Sequence, residues 1–134
     1  GWGPTKNEQS IRTIKMDEKT MKLFKEMFNR IPDNIHGLVF YSPGSKYKVI
    51  SNNAANKALE SILTKLNIEP ISIHGLRHTH ASILLYKKVS IYYVSERLGH
   101  ADIDTTLKHY AHIVKELREQ DEKSTVKIFG EMIV

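Results

Sequence analysis

The chain has 134 residues, 40% hydrophobic and 26% charged, which predicts one domain with a buried core and excludes disorder as its main state. It contains no cysteine, and this excludes disulfides, thiolate metal sites and a cysteine nucleophile. Lysine and arginine (20) outnumber aspartate and glutamate (15), and the net charge of +5 indicates a polyanionic partner.

The sequence shows no sign of membrane insertion or secretion. No apolar stretch approaches the roughly 18 residues that a membrane span requires, and no charged start followed by an apolar run marks a signal peptide. We therefore expect a cytoplasmic protein without a membrane partner.

A small β element is predicted near the N-terminus. Apolar and polar residues alternate over residues 11–16, which is typical of a short strand. Asp17 is a suitable N-cap for a helix that reaches about Asn29. A short apolar run, residues 38–41, predicts a second strand.

The rest of the chain is predicted to be helical, so the fold class is mainly α with a small β element near the N-terminus. The helices are expected to begin near Ser51 or Asn52, His74, Ser90, Asp102 and Lys115. Gly99 is expected to end the helix that Ser90 begins. In the helix that begins near His74, we expect Leu76, Ile83 and Leu84 to face the core.

Histidine is concentrated in one part of the sequence. Six of the seven histidines fall between positions 74 and 112: His74, His78, His80, His100, His109 and His112. His74 and Arg77 are three residues apart at the predicted start of a helix, so their side chains share a face. Arginine suits phosphate oxygens and histidine moves protons near neutral pH. By itself such a pair is more often a structural or surface pair than a phosphate site.

Two further motifs follow in order. Leu98-Gly99-His100 stands at a predicted helix end, and Tyr110 lies ten residues after His100. Taken singly, the first motif is a glycine C-cap and the second a tyrosine packed on the core with its hydroxyl at the surface. The three motifs together, in this order and spacing, need a common explanation.

The combination resembles the C-terminal half of the catalytic domain of the tyrosine recombinases, the family of phage and transposon integrases. The resemblance spans roughly residues 5–113. It implies site-specific recombination of double-stranded DNA, for integration or excision of a mobile element, through a transient 3′-phosphotyrosyl bond. It implies a catalytic part over residues 1–113 and a helical tail over residues 114–134.

The resemblance assigns a role to five residues. Tyr110 resembles the nucleophile and Arg77 the second of two arginines that hold the non-bridging phosphate oxygens. His74 resembles the histidine that assists proton transfer, and His100 the residue that hydrogen-bonds the scissile phosphate. Lys6 resembles the lysine that acts as general acid toward the leaving 5′-oxygen. The resemblance implies no cofactor and no catalytic metal.

One catalytic residue of the family has no match. Its first arginine lies in a helical segment before the lysine, and neither Arg12 nor Arg30 has that context. We therefore interpret the chain as a fragment of a longer integrase. Losing one contact to the transition-state charge costs on the order of 10²–10³ in rate, so we expect the fragment to fold but to cleave DNA poorly or not at all.

Two other classes of protein fit parts of the pattern. The residues from Ser90 to Tyr110 read as a helix-turn-helix, which would make the chain a non-catalytic DNA-binding module. Its second helix begins with Asp102-Ile103-Asp104, which is acidic where DNA would be met. The pairs His74/His78 and His109/His112 have spacings that suit zinc, although no glutamate follows His74 as in the zinc-protease motif.

The tail has its own two interpretations. It ends in apolar residues at 126, 128, 129 and 132–134 among many charges. In the family, the segment after the nucleophile often docks on a neighbouring subunit. The resemblance therefore implies a homo-tetramer on DNA for the full-length parent. The fragment alone is expected to be a monomer if it does not dock in this way. The alternative is a C-terminal helix that packs on its own domain.

Overall fold

The computed structural model describes residues 3–5 and 8–132, and α-helices carry most of them. A 3-10 turn at Glu8–Ser10 precedes α1 (Glu18–Arg30), α2 (Asn52–Lys65), α3 (Ile73–Tyr86), α4 (Ile91–Leu98) and α5 (Ile103–Met132). The mainly helical prediction is therefore confirmed. Among the described residues, no helix is both long and apolar enough to cross a membrane.

The described chain divides into two compact units. The first comprises Thr13–Leu76 together with Gly3, and the second runs from Arg77 to the end of α5 together with residues 4–5 and 8–12. The division falls in the first turn of α3.

In the first unit, helix starts follow the predicted capping residues. The Asp17 carboxylate accepts a hydrogen bond from the main-chain N–H of Thr20 at 3.0 Å and so caps α1. The Ser51 hydroxyl accepts from the N–H of Ala54 at 3.2 Å and caps α2. Each cap satisfies a main-chain donor that has no partner within its helix.

The predicted β element is wrong for the described residues, because none of them forms a strand. Residues 12–17 are irregular, and Ile11 is 77% exposed, so the alternating pattern has neither a pairing strand nor a covering layer. A lone strand of this length has no stability without both. The second expected strand is reduced to a single antiparallel bridge between Tyr41 and Val49.

The second unit contains the buried core. Six apolar or aromatic side chains are at most 5% exposed: Ala81 and Leu85 on α3, Val94 and Leu98 on α4, and Tyr110 and Ile113 on α5. Burial of such side chains is the main driving force for packing these three helices together. The expectation for α3 was partly wrong, since Leu76 and Ile83 are 40% and 55% exposed and Ala81 and Leu85 take their place.

The turn from α4 to α5 places the predicted Leu-Gly-His motif. Gly99 has φ +70°, and its N–H donates to the Glu96 carbonyl at 2.9 Å, while the His100 N–H donates to the Ser95 carbonyl at 3.1 Å. This pair of bonds is a Schellman C-cap, which favours glycine because only glycine takes a left-handed φ without strain. Asp102 then caps α5, accepting from the Thr105 N–H at 2.8 Å.

Candidate functional site

Tyr110 lies at a break in α5. Its φ and ψ of −119° and 21° depart from helical values, although the helix continues on both sides. Its side chain is 3% exposed, and its hydroxyl shares a hydrogen bond of 2.9 Å with Nδ1 of His78 on α3. The predicted nucleophile is therefore held by a specific polar contact inside the second unit.

Arg77 is anchored on the Leu-Gly-His turn. Its Nη2 donates to the main-chain oxygen of Leu98 at 2.6 Å. That oxygen stands at the C-terminal end of α4, where helix carbonyls lack intrahelical partners and the helix dipole is negative. The contact fixes the guanidinium beside the motif that carries His100.

His100 is partly buried and bonded to the protein on one side. Its Nδ1 lies 2.6 Å from the hydroxyl oxygen of Thr106, a residue with no exposed surface. Burial lowers the pKa of His100, and the charges of Arg77 and His109 lower it further. At neutral pH His100 is therefore an uncharged imidazole, which still donates one N–H.

Arg77 acts electrostatically on Tyr110 as well. Burial raises the pKa of the Tyr110 phenol above its usual value, and the positive charge of Arg77 opposes that rise because it favours the phenolate. Arg77 thus influences both His100 and Tyr110. The structure brings together three of the five residues that the sequence singled out.

Three imidazoles accompany the tyrosine. The ring centroids of His78 and His109 are 6.1 Å apart and those of His109 and His100 are 6.2 Å apart, both pairs stacked. His109 Nδ1 donates to the Thr105 carbonyl at 2.7 Å. We call His78, His109 and His100 the imidazole row. Among the residues that the structure describes, no three histidine or acidic side chains are arranged to hold a metal ion.

A second chain of contacts braces the same turn from outside. Arg12 Nε donates to the Arg97 carbonyl at 2.8 Å, and Arg97 Nε donates to His80 Nε2 at 3.0 Å. Burial, and then the charge of Arg97, lower the pKa of His80. A Cβ added at Gly99 would lie 2.6 Å from Arg12 Nη1 and 2.9 Å from the Gln9 carbonyl oxygen.

Two predicted site residues are not in this group. His74 is exposed in the first turn of α3 and belongs to the first unit. Lys6 lies outside the described residues. Their predicted roles stay predictions.

Sequence reasoning missed the contact of His78 and the bracing role of Arg12. His78 stands three positions before Ala81 and seven before Leu85, which is the spacing of one helical face. That face was not recognised because α3 also carries apolar residues elsewhere. Arg12 was considered only as a missing phosphate clamp, and no local pattern reveals that it reaches Arg97, 85 positions later.

Comparison with known proteins gives a consistent set of relatives. The profile of the phage integrase family matches residues 3–116. The integrase of Staphylococcus phage L54a is 36% identical over 74 residues, which are 54% of this chain and 21% of that protein. Transposase A from transposon Tn554 of Staphylococcus aureus is 32% identical over 117 residues, 84% of this chain and 31% of that protein.

A third relative is named as a tyrosine recombinase. A tyrosine recombinase XerC-like protein from Caldanaerobacter subterraneus subsp. tengcongensis is 29% identical over 119 residues, 81% of this chain and 30% of that protein. The chain therefore spans between about a fifth and a third of the length of these relatives. No solved structure gives a significant match.

Proposed function

Because the chain belongs to the phage integrase family, we propose that it forms the C-terminal part of the catalytic domain of a tyrosine recombinase. The enzyme would cut and rejoin double-stranded DNA at specific sites for integration or excision of a mobile element. One observation carries this proposal. The structure groups the buried hydroxyl of Tyr110, the anchored guanidinium of Arg77 and the uncharged imidazole of His100.

The proposed reaction is a transesterification at phosphorus. The Tyr110 oxygen forms a bond to phosphorus and loses its proton, the bond from phosphorus to the 5′-oxygen breaks, and that oxygen takes up a proton. The product is a 3′-phosphotyrosyl ester and a 5′-hydroxyl. Reversal with a new 5′-hydroxyl rejoins the strand without an external energy source, because one ester is exchanged for another.

Arg77 and His100 supply the positive and polar contacts that this step needs. Negative charge grows on the non-bridging oxygens in the transition state, and fixed donors stabilise it because they need no reorganisation. The planar guanidinium of Arg77 suits two phosphate oxygens at once. The neutral imidazole of His100, held through Nδ1 by Thr106, is suited to donate its other N–H to one of them.

Lys6 and His74 complete the proposed machinery by family resemblance. Lys6 would protonate the leaving 5′-oxygen, and His74 would assist proton transfer. For Tyr110, which is 3% exposed, the hydroxyl must become accessible to the phosphate. The irregular main chain at this residue is where the later part of α5 can change direction while the Tyr110 hydroxyl stays on His78.

We also propose that the tail, residues 114–134, docks on a second copy in a DNA-bound tetramer. The last turns of α5 expose four apolar side chains, which are 54–71% exposed: Val126, Ile128, Phe129 and Met132. This exposure favours docking over packing of these side chains on the chain's own core. Light scattering of the double variant Val126→Ser/Phe129→Ser should show less concentration-dependent association than the parent chain, whereas Lys123→Ser, on the same helix, should not.

The enzymatic proposal is tested by covalent capture. The 134-residue chain is incubated with nicked duplexes of random sequence, in which the phosphate next to the nick is replaced by a charge-neutral methylphosphonate. Protein–DNA adducts that survive detergent are recovered, and their DNA is sequenced. We expect adducts with the parent chain and none with Tyr110→Phe. DNA retention by band shift without any adduct would instead support the helix-turn-helix binding module.

A further inference from the structure

His78 lies on the buried side of α3. It shares a helical face with Ala81 and Leu85, which are 0% and 2% exposed, and it is itself partly buried. Its ring is inclined to that of Tyr110, with the centroids 5.8 Å apart, and Nδ1 is 2.9 Å from the phenolic oxygen. The contact is therefore a directed hydrogen bond between two packed side chains on different helices.

The direction of this bond depends on the tautomer of His78 and on the state of the phenol. A buried tyrosine whose pKa is raised keeps its hydrogen at neutral pH. An O–H group bonded to an imidazole nitrogen can give that hydrogen to the nitrogen's lone pair. With the imidazole proton on Nε2, the Tyr110 hydroxyl donates and His78 Nδ1 accepts.

We propose, on the basis of the recombinase function proposed above, that His78, rather than His74, receives the phenolic proton of Tyr110 as the phosphotyrosyl bond forms. As the Tyr110 oxygen bonds to phosphorus, its proton moves to Nδ1 and His78 becomes an imidazolium. The bond from phosphorus to the 5′-oxygen breaks, and that oxygen is protonated by a separate acid. On rejoining, the incoming 5′-hydroxyl attacks phosphorus and His78 returns its proton to the departing tyrosine.

The surroundings of His78 keep this charge transient. His109 from α5 stacks on its ring, His100 follows in the imidazole row, and Arg77 acts on the same tyrosine. Of these groups Arg77 carries a permanent positive charge, which disfavours an imidazolium at His78. The proton is therefore returned readily when the strand is rejoined, which suits a reversible exchange.

Two variants separate proton transfer from simple positioning. His78→Asn keeps an oxygen acceptor close to the position of Nδ1 but has no basicity, and His78→Ala removes both. We expect each to lower the rate of adduct formation on the methylphosphonate duplexes recovered above by about 10²-fold or more, with unchanged DNA retention and helical circular dichroism. His36→Gln, in an exposed turn, is the matched control. Wild-type rates in His78→Asn would overturn the proposal.

The leaving group shows which proton His78 handles. In a duplex with a 5′-bridging sulfur the leaving group is a thiolate, whose acid has a pKa of about 8.5, so it departs without a proton. The loss in His78→Asn should persist on this substrate. Recovery of the wild-type rate there would place His78 on the leaving group and overturn the proposal.

Added bases give a further chemical readout. Imidazole should restore adduct formation by His78→Ala, and the more basic 4-methylimidazole should restore it further, since the step takes a proton. Rescue that is independent of basicity would contradict proton transfer. Failure of the parent chain to form any adduct would instead overturn the recombinase function itself, so the two failures are distinguishable.

Discussion

Arg77 Nη2 lies 2.6 Å from the main-chain oxygen of Leu98, 21 positions further along the chain. This bond joins the helix that carries His78 to the turn that carries His100. The phosphate-binding arginine that we propose is thus positioned by a main-chain acceptor. Such an anchor reduces the reorganisation needed when the guanidinium meets a phosphate.

Replacing Arg77 by methionine should shift two pKa values in the same direction. Loss of the positive charge removes a penalty on protonated His100, so the pKa of His100 rises. It also removes support for the Tyr110 phenolate, so the pKa of Tyr110 rises further. NMR titration of the His100 ring and ultraviolet titration of the phenol measure both shifts. Arg30→Met, an exposed change on α1, should move neither, and an unchanged His100 would contradict the electrostatic coupling.

The same substitution at two glycines should have opposite effects on stability. Gly99→Ala forces a side chain into a left-handed conformation, which costs about 1–2 kcal/mol, and it brings the new Cβ to 2.9 Å from the Gln9 carbonyl oxygen. Gly130→Ala, in α5 with open space around it, should stabilise its helix by up to about 1 kcal/mol. Urea denaturation measures the free energy of unfolding. Gly99→Ala at wild-type stability would be inconsistent with the described turn.

Acidification should destabilise the second unit through two histidines. The folded-state pKa values of His80 and His100 are lowered, in both cases mainly by burial. As the pH falls below about 6.5 the unfolded chain binds protons that the folded chain does not, so the free energy of unfolding decreases. Melting temperatures recorded between pH 7.5 and pH 5 measure this loss of stability. His100→Asn should weaken the pH dependence of the melting temperature, whereas His36→Gln should leave it unchanged. If the melting temperature changed equally with pH in the parent chain and both variants, the proposed contribution of His100 would be contradicted.

The isolated chain should respond strongly to phosphate charge. If residues 1–134 supply only one of the two clamping arginines, the developing negative charge is under-compensated. Adducts should then form on a methylphosphonate on the order of 10²–10³ faster than on the corresponding phosphate, which is the usual worth of one such contact. Single-turnover rates on the two duplexes give the ratio. Equal rates would mean that the chain already compensates the charge.

The helices were predictable because their signals are local. Asp17, Ser51 and Asp102 cap the helices that they were expected to cap, and Gly99 ends α4. Ser90 occupies its expected N-cap position, but its side chain makes no capping bond. Local sequence patterns therefore predicted where the helices begin and end, but not every capping hydrogen bond.

The features that failed depend on distant partners. The alternating residues 11–16 match a strand, but pairing and cover decide whether one forms. Arg12, in that segment, bonds instead to the Arg97 carbonyl. The last two predicted helices are one helix with a break at Tyr110, and no residue there is a helix breaker that would mark the site.

For the candidate site, order and spacing of motifs identified Arg77, His100 and Tyr110, but not how they are held. The bonds from Arg77 to Leu98 and from His78 to Tyr110 join residues 21 and 32 positions apart. Such contacts arise only when α3, α4 and α5 pack around a shared core, so one-dimensional patterns do not contain them.

The most direct measurement is the site of covalent attachment to DNA. Adducts captured from the random-sequence duplexes are digested with nuclease and protease, and the modified peptide is located by mass spectrometry. The proposed mechanism predicts a nucleotide on Tyr110 alone among the six tyrosines of the chain. Attachment at any other residue, or adducts that persist in Tyr110→Phe, would contradict it.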